Sequence, residues 1–379
     1  MTKHDYKQHA YYIIYLIRCV LHDQIPKKEK LDKIDLSKLY EVAEKHSLTA
    51  ITAYALESAG VVDERFTQAK AKAIRKNALF DIERQHILNE FEIAGIWYMP
   101  LKGIVMQEFY PRYGMRQMAD NDILIDPSRT NDVKYIMESL GFVSDHFGGS
   151  NHDVYKKPPV CNFEMHNELF LPNYGEKIYE YYTDIKKRLI KNNDSNYGFH
   201  LSNEDLYIYI TAHEYKHFYQ GGTGLRNLVD RYVLLRRFAD DLNMAYIEAE
   251  LSKMHIKEYE CNAQELSLKL FNGIKLSQEE KNLLDYYIFS GTYGNTENLI
   301  ENRLKKSGGG FKAKIKYFAD RFFVPISKKN PMYKAYKVKY PVFFNNKLLL
   351  PFLPFYRLYH SLKTSRRRIL TEIKTLVKF

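Results

Sequence analysis

The stretch LKGIVMQEFYPRYGMRQMADNDILID (101–126) decides what kind of fold this chain makes. It closes on DNDILID, a short run of period-two alternation in which Ile123 and Ile125 share one face while Asp120 and Asp122 share the other. IWYMPLKG (96–103) before it and CNFEMHNELF (161–170) after it alternate in the same strand-like way. Between the last two, SRTNDVKYIMESLGF (128–142) reads as a helix. Strands interleaved with a helix predict a small α/β unit over 96–190.

Outward from that unit the period changes to that of a helix. On the N-terminal side, LSKLYEVAEKHSLTAITAYALESAG (36–60) and NALFDIERQHILNEFEIAG (77–95) place apolar residues three and four apart, and Gly60 and Gly95 stand where helix C-caps are expected. On the C-terminal side, NEDLYIYITAHEYKHF (203–218), GLRNLVDRYVLLRRFADDL (224–242) and 244–270 are helical again. SGGG (307–310) reads as a linker. Beyond it, prolines at 325, 331, 341, 351 and 354 break any long helix until HSLKTSRRRILTEIKTLVKF (360–379). The expected organisation is a helical region over 1–95, the α/β core over 96–190, a second helical region over 191–300 and a C-terminal extension over 301–379. The fold class is α+β, a small α/β core embedded in mostly helical flanks.

A chain of 379 residues with 45% hydrophobic residues can build a sizeable core, which excludes a disordered chain. The 32 Tyr and 22 Phe accompany abundant Lys and Asn, so they read as compositional bias rather than a base-stacking surface. Cys19, Cys161 and Cys261 form neither a disulfide framework nor a zinc spacing, which points to a reducing compartment. The opening MTKHDYKQHA is polar, and Arg18 interrupts the short apolar run YYIIYLIRCVL (11–21). No signal peptide or membrane span is expected there, and the expected location is cytoplasmic.

Charge is divided unevenly. Residues 301–379 hold 20 lysines and arginines against Glu301, Asp320 and Glu372, a net +17, while the remainder is −6 with 37 basic and 43 acidic residues. The asymmetry predicts an anionic partner for the tail, whether nucleic acid, lipid or the acidic body itself. The basic runs are KKNPMYKAYKVKY (328–340) and SRRR (365–368).

The chemistry is expected at the carboxylates. On one strand face Asp120 and Asp122 repel each other when ionised, and a divalent cation relieves that repulsion. Mg²⁺ prefers such hard oxygen ligands together with substrate phosphates. Glu164, with His166 and Glu168 on its face of the second strand, would complete a cluster of Asp120, Asp122 and Glu164. Lys102 and Gly103 end a short strand where a phosphate can approach the backbone closely. Arg116, four residues before Asp120, is suited to holding phosphate oxygens in a bidentate way.

The order LKG, Tyr-Pro (110–111), Arg116-x-x-x-Asp120-x-Asp122 with aliphatics following, then Glu164-x-His166, resembles the uncharacterised nucleotidyltransferase family of the DNA-polymerase-β-like superfamily. The helix carrying His213 and His217, LRNLVD ending at Asp230, the Ala-Gly-Ile at 94–96, and Leu-Leu-Pro with Arg357 in the tail are similar too. The superfamily usually carries Gly-Ser or Gly-Gly at its first motif, whereas Gly103 is followed here by Ile104. The resemblance implies a polymerase-β-like core in which Asp120, Asp122 and Glu164 bind Mg²⁺ or Mn²⁺. It further implies transfer of a nucleoside monophosphate from an NTP such as ATP to an acceptor hydroxyl of a protein, an RNA or a small molecule, with release of pyrophosphate. Lys102, Gly103, Arg116 and His166 would then serve the nucleotide, with Lys102 and Arg116 on the departing phosphates and His166 orienting Glu164 or touching the acceptor.

Two other readings compete. His213-Glu214-Tyr215-Lys216-His217 has the H-E-x-x-H spacing that puts two histidines on one helical face, as a zinc-dependent peptidase requires. FYQGGTG follows it in place of a third-histidine extension, leaving Asp230, Glu248 or Glu250 as the remaining ligand candidates. The third reading is a nucleotide- or RNA-binding module without turnover. The glycines of GGTGLRN (221–227) would suit either a phosphate cradle or a helix-to-helix turn.

Overall fold

The structure, a computed structural model, describes residues 1–238, 241–323 and 333–378. The chain is α+β, with a mixed five-stranded sheet among helices. The strands are β1 (Tyr98–Pro100), β2 (Asn121–Ile125), β3 (Val143–His146), β4 (His152–Lys157) and β5 (Cys161–His166), in the spatial order β1-β2-β5-β4-β3. β2 and β5 run parallel, and the other pairs are antiparallel. The three expected strands and the helix Thr130–Ser139 are present. The β3–β4 hairpin was not anticipated, although HDVYKK alternates behind a GGSN turn.

Both faces of the sheet are covered, which explains why all five residues of β2 are buried. Ile123, Ile125, Phe163 and Met165 point to one side, where they meet Phe80, Ile87 and Phe91 of the long helix Glu64–Ala94. Each such side chain contributes roughly 1.5–3 kcal/mol by leaving water. Leu124 faces the other side and packs with Leu206 and Ile210 of helix Asn203–Tyr219. Alternation therefore sends Asp122, Glu164 and His166 to that second side.

The helices are delimited by ordinary caps. Asp63 accepts from the Arg65 N–H to open the long helix, and Gly95 closes it at φ 68°. Ser202 caps helix Asn203–Tyr219, which has Glu204 and Asp205 in its first turn, where they complement the helix dipole. The N-terminal helices do not stand apart. Ile13, Leu39 and Ile51 share a core with Leu228 and Val229 of helix Leu225–Phe238 and with Leu284 and Ile288 further on. The two helical regions flanking the sheet unit in sequence thus pack together in space.

In the extension, SGGG makes the turn between helices Thr296–Lys306 and Gly310–Phe322, which pack through Ile300, Leu304, Ala313 and Tyr317. The C-terminal helical run divides at Ser365 into Leu353–Thr364 and Arg366–Lys378. Pro325, Pro331, the Lys328–Lys329 pair and the Arg367 and Arg368 side chains lie outside the described residues.

Candidate active site

β2 and β5 bring the carboxylates together. Asp122 and Glu164 are register partners on the two parallel strands, and Asp120 directly precedes β2. Asp122 is buried, and its Oδ1 accepts from Lys102 Nζ at 2.9 Å and from His166 Nε2 at 2.8 Å. Burial works against this carboxylate, yet Lys102 and the His166 hydrogen bond outweigh it and hold Asp122 well below the usual range. The same pairing outweighs burial at Lys102 and keeps its ammonium above the ordinary value. Asp120 and Glu164 shift the other way. Burial, then repulsion from Asp122, raises Asp120; burial, then Asp122 and Asp120, pushes Glu164 up to about 7. Asp120 and Glu164, raised by burial and by their acidic neighbours, are hard oxygen donors of the kind Mg²⁺ takes. Among the described residues, however, the group whose ligand atoms all lie within 4.8 Å of one another is His152, Glu164 and His166, not Asp120, Asp122 and Glu164.

His166 was expected beside Glu164, but its hydrogen bond goes to Asp122 while Glu164 Oε2 lies 3.7 Å from the ring nitrogen. His152 on β4 sits opposite His166 in register and places its Nε2 3.5 Å from Glu164 Oε2. His152, Glu164 and His166 offer ligand atoms all within 4.8 Å of one another. Burial, then the His166 ring, lowers His152 to about 4, so it stays neutral beside the carboxylate near neutral pH.

The loop from Leu101 to Asp120 is pinned from outside the sheet. Lys76 Nζ donates to the Ala119 carbonyl at 3.0 Å, Asn77 Nδ2 to the Arg116 carbonyl at 3.2 Å, and the Ala50 N–H to Gln117 Oε1 at 3.0 Å. N-terminal helices thereby set where the carboxylates begin. A Cβ on Gly103 would stand 2.7 Å from Arg116 Nη1 and 2.7 Å from Met118 Cε, so the ends of those side chains would have to shift to admit one. Arg116 reaches the site, but its Nε and Nη2 donate to the two oxygens of Asp230, each at 2.9 Å. Tyr110 adds a third donor to Asp230 at 2.6 Å. The bidentate fork expected on phosphate is thus engaged with a carboxylate.

The facing wall comes from helix Asn203–Tyr219 and the start of helix Leu225–Phe238. Lys216 lies over the Tyr174 ring at 4.7 Å, and among the described residues it forms no ion pair. Burial, then repulsion from Lys102, lowers its amine to about 7. Arg226 donates from Nη1 to the Gln117 carbonyl at 3.4 Å and keeps a buried Nε without a partner. Burial, then the neighbouring Arg116, makes its charge costly. GGTG delivers Arg226 at the first turn of its helix, where the Leu225 N–H donates to His46 Nδ1 at 3.1 Å. A Cβ on Gly224 would meet that ring nitrogen at 2.7 Å.

Asp120, Asp122, Glu164, Lys102, Gly103, Arg116 and His166 all line one cavity of about 330 Å³, together with Lys216, Arg226 and the His213–His217 pair. His152, Lys216 and Arg226 were missed as site residues. GGTGLRN was the signal for Arg226, and the alternation of HDVYKK was the signal for His152. The H-E-x-x-H helix does bring His213 Nε2 and His217 Nε2 within 3.2 Å. Glu214, however, is buried and bonded to Arg231, and among the described residues no third ligand groups with the two histidines.

The sequence model of the family described as uncharacterised nucleotidyltransferase matches residues 32–272, more than half of the chain and all of this cavity's carboxylates. No curated protein and no solved structure gives a match.

Proposed function

The chain belongs to the uncharacterised nucleotidyltransferase family, and on that premise we propose that it transfers a nucleoside monophosphate from an NTP to an acceptor hydroxyl at the Asp120–Asp122–Glu164 cavity. The observation that carries this reading is the opposition of two walls: carboxylates at the sheet, and Lys216 and Arg226 facing them with no ion pair among the described residues. A triphosphate needs the cations, and a reacting centre at its α-phosphorus needs the carboxylates.

Asp120, Asp122 and Glu164 would hold Mg²⁺ or Mn²⁺, which when bound supplies charge neutralisation at the phosphoryl oxygens. The remaining work falls to the chain. The acceptor oxygen forms a bond to the α-phosphorus, the bond from that phosphorus to the bridging oxygen breaks, and pyrophosphate leaves with the electron pair. Glu164 takes the proton from the acceptor hydroxyl. Arg226 and Lys216 hold the negative charge that grows on the departing pyrophosphate. Lys102 and His166 fix the orientation of Asp122, and Arg116 with Asp230 braces the loop that ends at Asp120.

The test is incubation of the full chain with each α-labelled NTP and Mg²⁺ or Mn²⁺, with and without cell extract. Label should appear on protein, RNA or a small molecule, with pyrophosphate released in equal amount. Absence of label with every NTP and both metals, or label that persists in Asp122→Asn, would sink the proposal.

A further inference from the structure

Three helices of the C-terminal extension each carry an apolar stripe that is largely exposed. In Gly310–Phe322 it is Phe311, Ile315 and Phe318; in Leu353–Thr364 it is Phe355, Tyr359 and Leu362. In Arg366–Lys378 it is Leu370, Ile373 and Val377. The spacings of three, four and seven put each set on a single helical face. These residues are well exposed, with Phe311 at 76% and Val377 at 79%. Side chains so large rarely stay in water in such numbers. Phe318 and Ile373 of two of the stripes line, with Leu358, one apolar cleft of about 170 Å³ between the three helices.

The arrangement is held from within. Tyr317 donates to Glu372 at 2.5 Å and Arg321 Nε to the same carboxylate at 3.0 Å, which ties the first helix to the last. That pair and Lys305–Glu301 are both internal to the segment, and neither draws on the acidic body. Lys312, Lys316, Lys363, Arg366 and Lys374 remain exposed beside the stripes.

We infer that this face of the extension docks on the surface of an anionic phospholipid bilayer. Charge and apolarity choose the occupant together. A second copy would set +17 against +17. RNA would answer the cations and stack on the aromatic rings, but it would leave Ile315, Leu362, Leu370, Ile373 and Val377 in water. A lipid interface accepts both, apolar side chains at the acyl boundary and cations at the headgroups. No helix among the described residues is long and apolar enough to cross a membrane, which fits helices lying in the interface. The inference does not depend on nucleotidyl transfer.

The experiment is co-sedimentation of the full chain with vesicles of phosphatidylglycerol and phosphatidylcholine, against vesicles of phosphatidylcholine alone. Sedimentation with the first and not the second is expected, and it should fade as salt rises. The triple variant Phe311→Ser, Tyr359→Ser, Val377→Ser alters the most exposed positions, so folding is spared; its partitioning should fall by on the order of tenfold or more. Lys312→Glu with Lys316→Glu should cause a comparable loss. As a second readout, Phe311→Trp should shift its emission to the blue when anionic vesicles are added. Equal binding to neutral vesicles, anionic binding that ignores the serine triple, or binding to RNA with none to vesicles would each overturn the inference.

Discussion

Lys102 Nζ sits 2.9 Å from Asp122 Oδ1, delivered by a backbone held at φ 43°, a region lysine rarely visits. The hydrogen bonds around it keep it there, with the Leu101 N–H on the Asp122 carbonyl at 2.9 Å and the Met106 N–H on the Lys102 carbonyl at 2.8 Å. A strained residue persists when its surroundings over-determine it, and such residues gather at functional sites. Here the strain sets a buried cation on a buried carboxylate, leaving Asp120 and Glu164 to carry the raised proton affinities.

That pairing separates two substitutions that a sequence alone would treat alike. Asp122→Asn keeps an acceptor oxygen for Lys102 or His166, and should cost less stability than alanine while losing transfer by about a hundredfold or more. Asp122→Ala leaves the Lys102 ammonium buried and unpaired, and should cost about 3–5 kcal/mol of stability as well. Thermal melting alongside pyrophosphate release checks both. Equal melting temperatures for the two variants would mean that Lys102 finds another partner.

Arg226 and Arg116 should part company in kinetics. Arg226 has donors to spare, so Arg226→Gln should raise the KM for NTP about tenfold with little change in folding. Arg116→Gln breaks the fork on Asp230 and should lower stability before it alters nucleotide affinity. If Arg116→Gln instead shifts KM in a stable protein, Arg116 itself is the phosphate ligand.

The sheet face of the site was legible because alternation is a local signal. DNDILID and CNFEMHNELF each show which residues share a face, and the structure pairs Asp122 with Glu164 on that basis. The commitment of Arg116 to Asp230 was not legible, since it joins residues 114 apart through the packing of two units. Lys216 was hidden inside H-E-x-x-H, where the histidines draw the eye. Its environment depends on Tyr174 and Lys102, which no spacing rule connects to it. The tail's charge was plain from composition, whereas its exposed apolar faces required the helices to be placed.

His46 links the N-terminal helices to the start of the Arg226 helix, accepting the Leu225 N–H at Nδ1, with Nε2 3.2 Å from the Tyr6 hydroxyl. Burial lowers its pKa to about 4, against about 6.5 in the unfolded chain. Between those values the unfolded state binds the extra proton, so stability is full above about 6.5 and falls as pH drops toward about 4. The loss attributable to His46 should be on the order of 3 kcal/mol. Denaturant melts at about pH 7 and about pH 5 check it, and His46→Gln should remove that part of the slope. An unchanged slope would assign the titration to other groups.

Glu214 discriminates the transferase from a zinc peptidase. It is buried and bonded to Arg231, which also lies 3.7 Å from Glu260. Glu214→Gln should therefore destabilise the protein by roughly 3 kcal/mol, since it removes one charge of a buried pair. A peptidase general base would lose hydrolysis with the fold intact. Metal analysis should show no stoichiometric zinc on His213 and His217. Tightly bound zinc that His217→Ala releases would revive the peptidase.

Lys216 makes the pH dependence of nucleotide binding a test of the cationic wall. Burial, then Lys102, lowers its amine to about 7, so near neutrality it is partly uncharged before substrate arrives. A triphosphate binds the protonated form, hence NTP binding takes up a proton. Affinity should be complete below about 7 and decline as pH rises above it, by up to about tenfold per unit. In the absence of a divalent cation, Glu164, also pushed up to about 7, would add a slope of the same sign, because a protonated carboxyl repels phosphate less. Equilibrium dialysis of NTP without acceptor should therefore be run on Glu164→Gln, where any remaining slope belongs to Lys216. Lys216→Arg should flatten that slope while keeping affinity, because arginine stays charged. Lys216→Met should lose both. Affinity independent of pH in Glu164→Gln would remove Lys216 from the phosphate site and leave Arg226 to hold the leaving group.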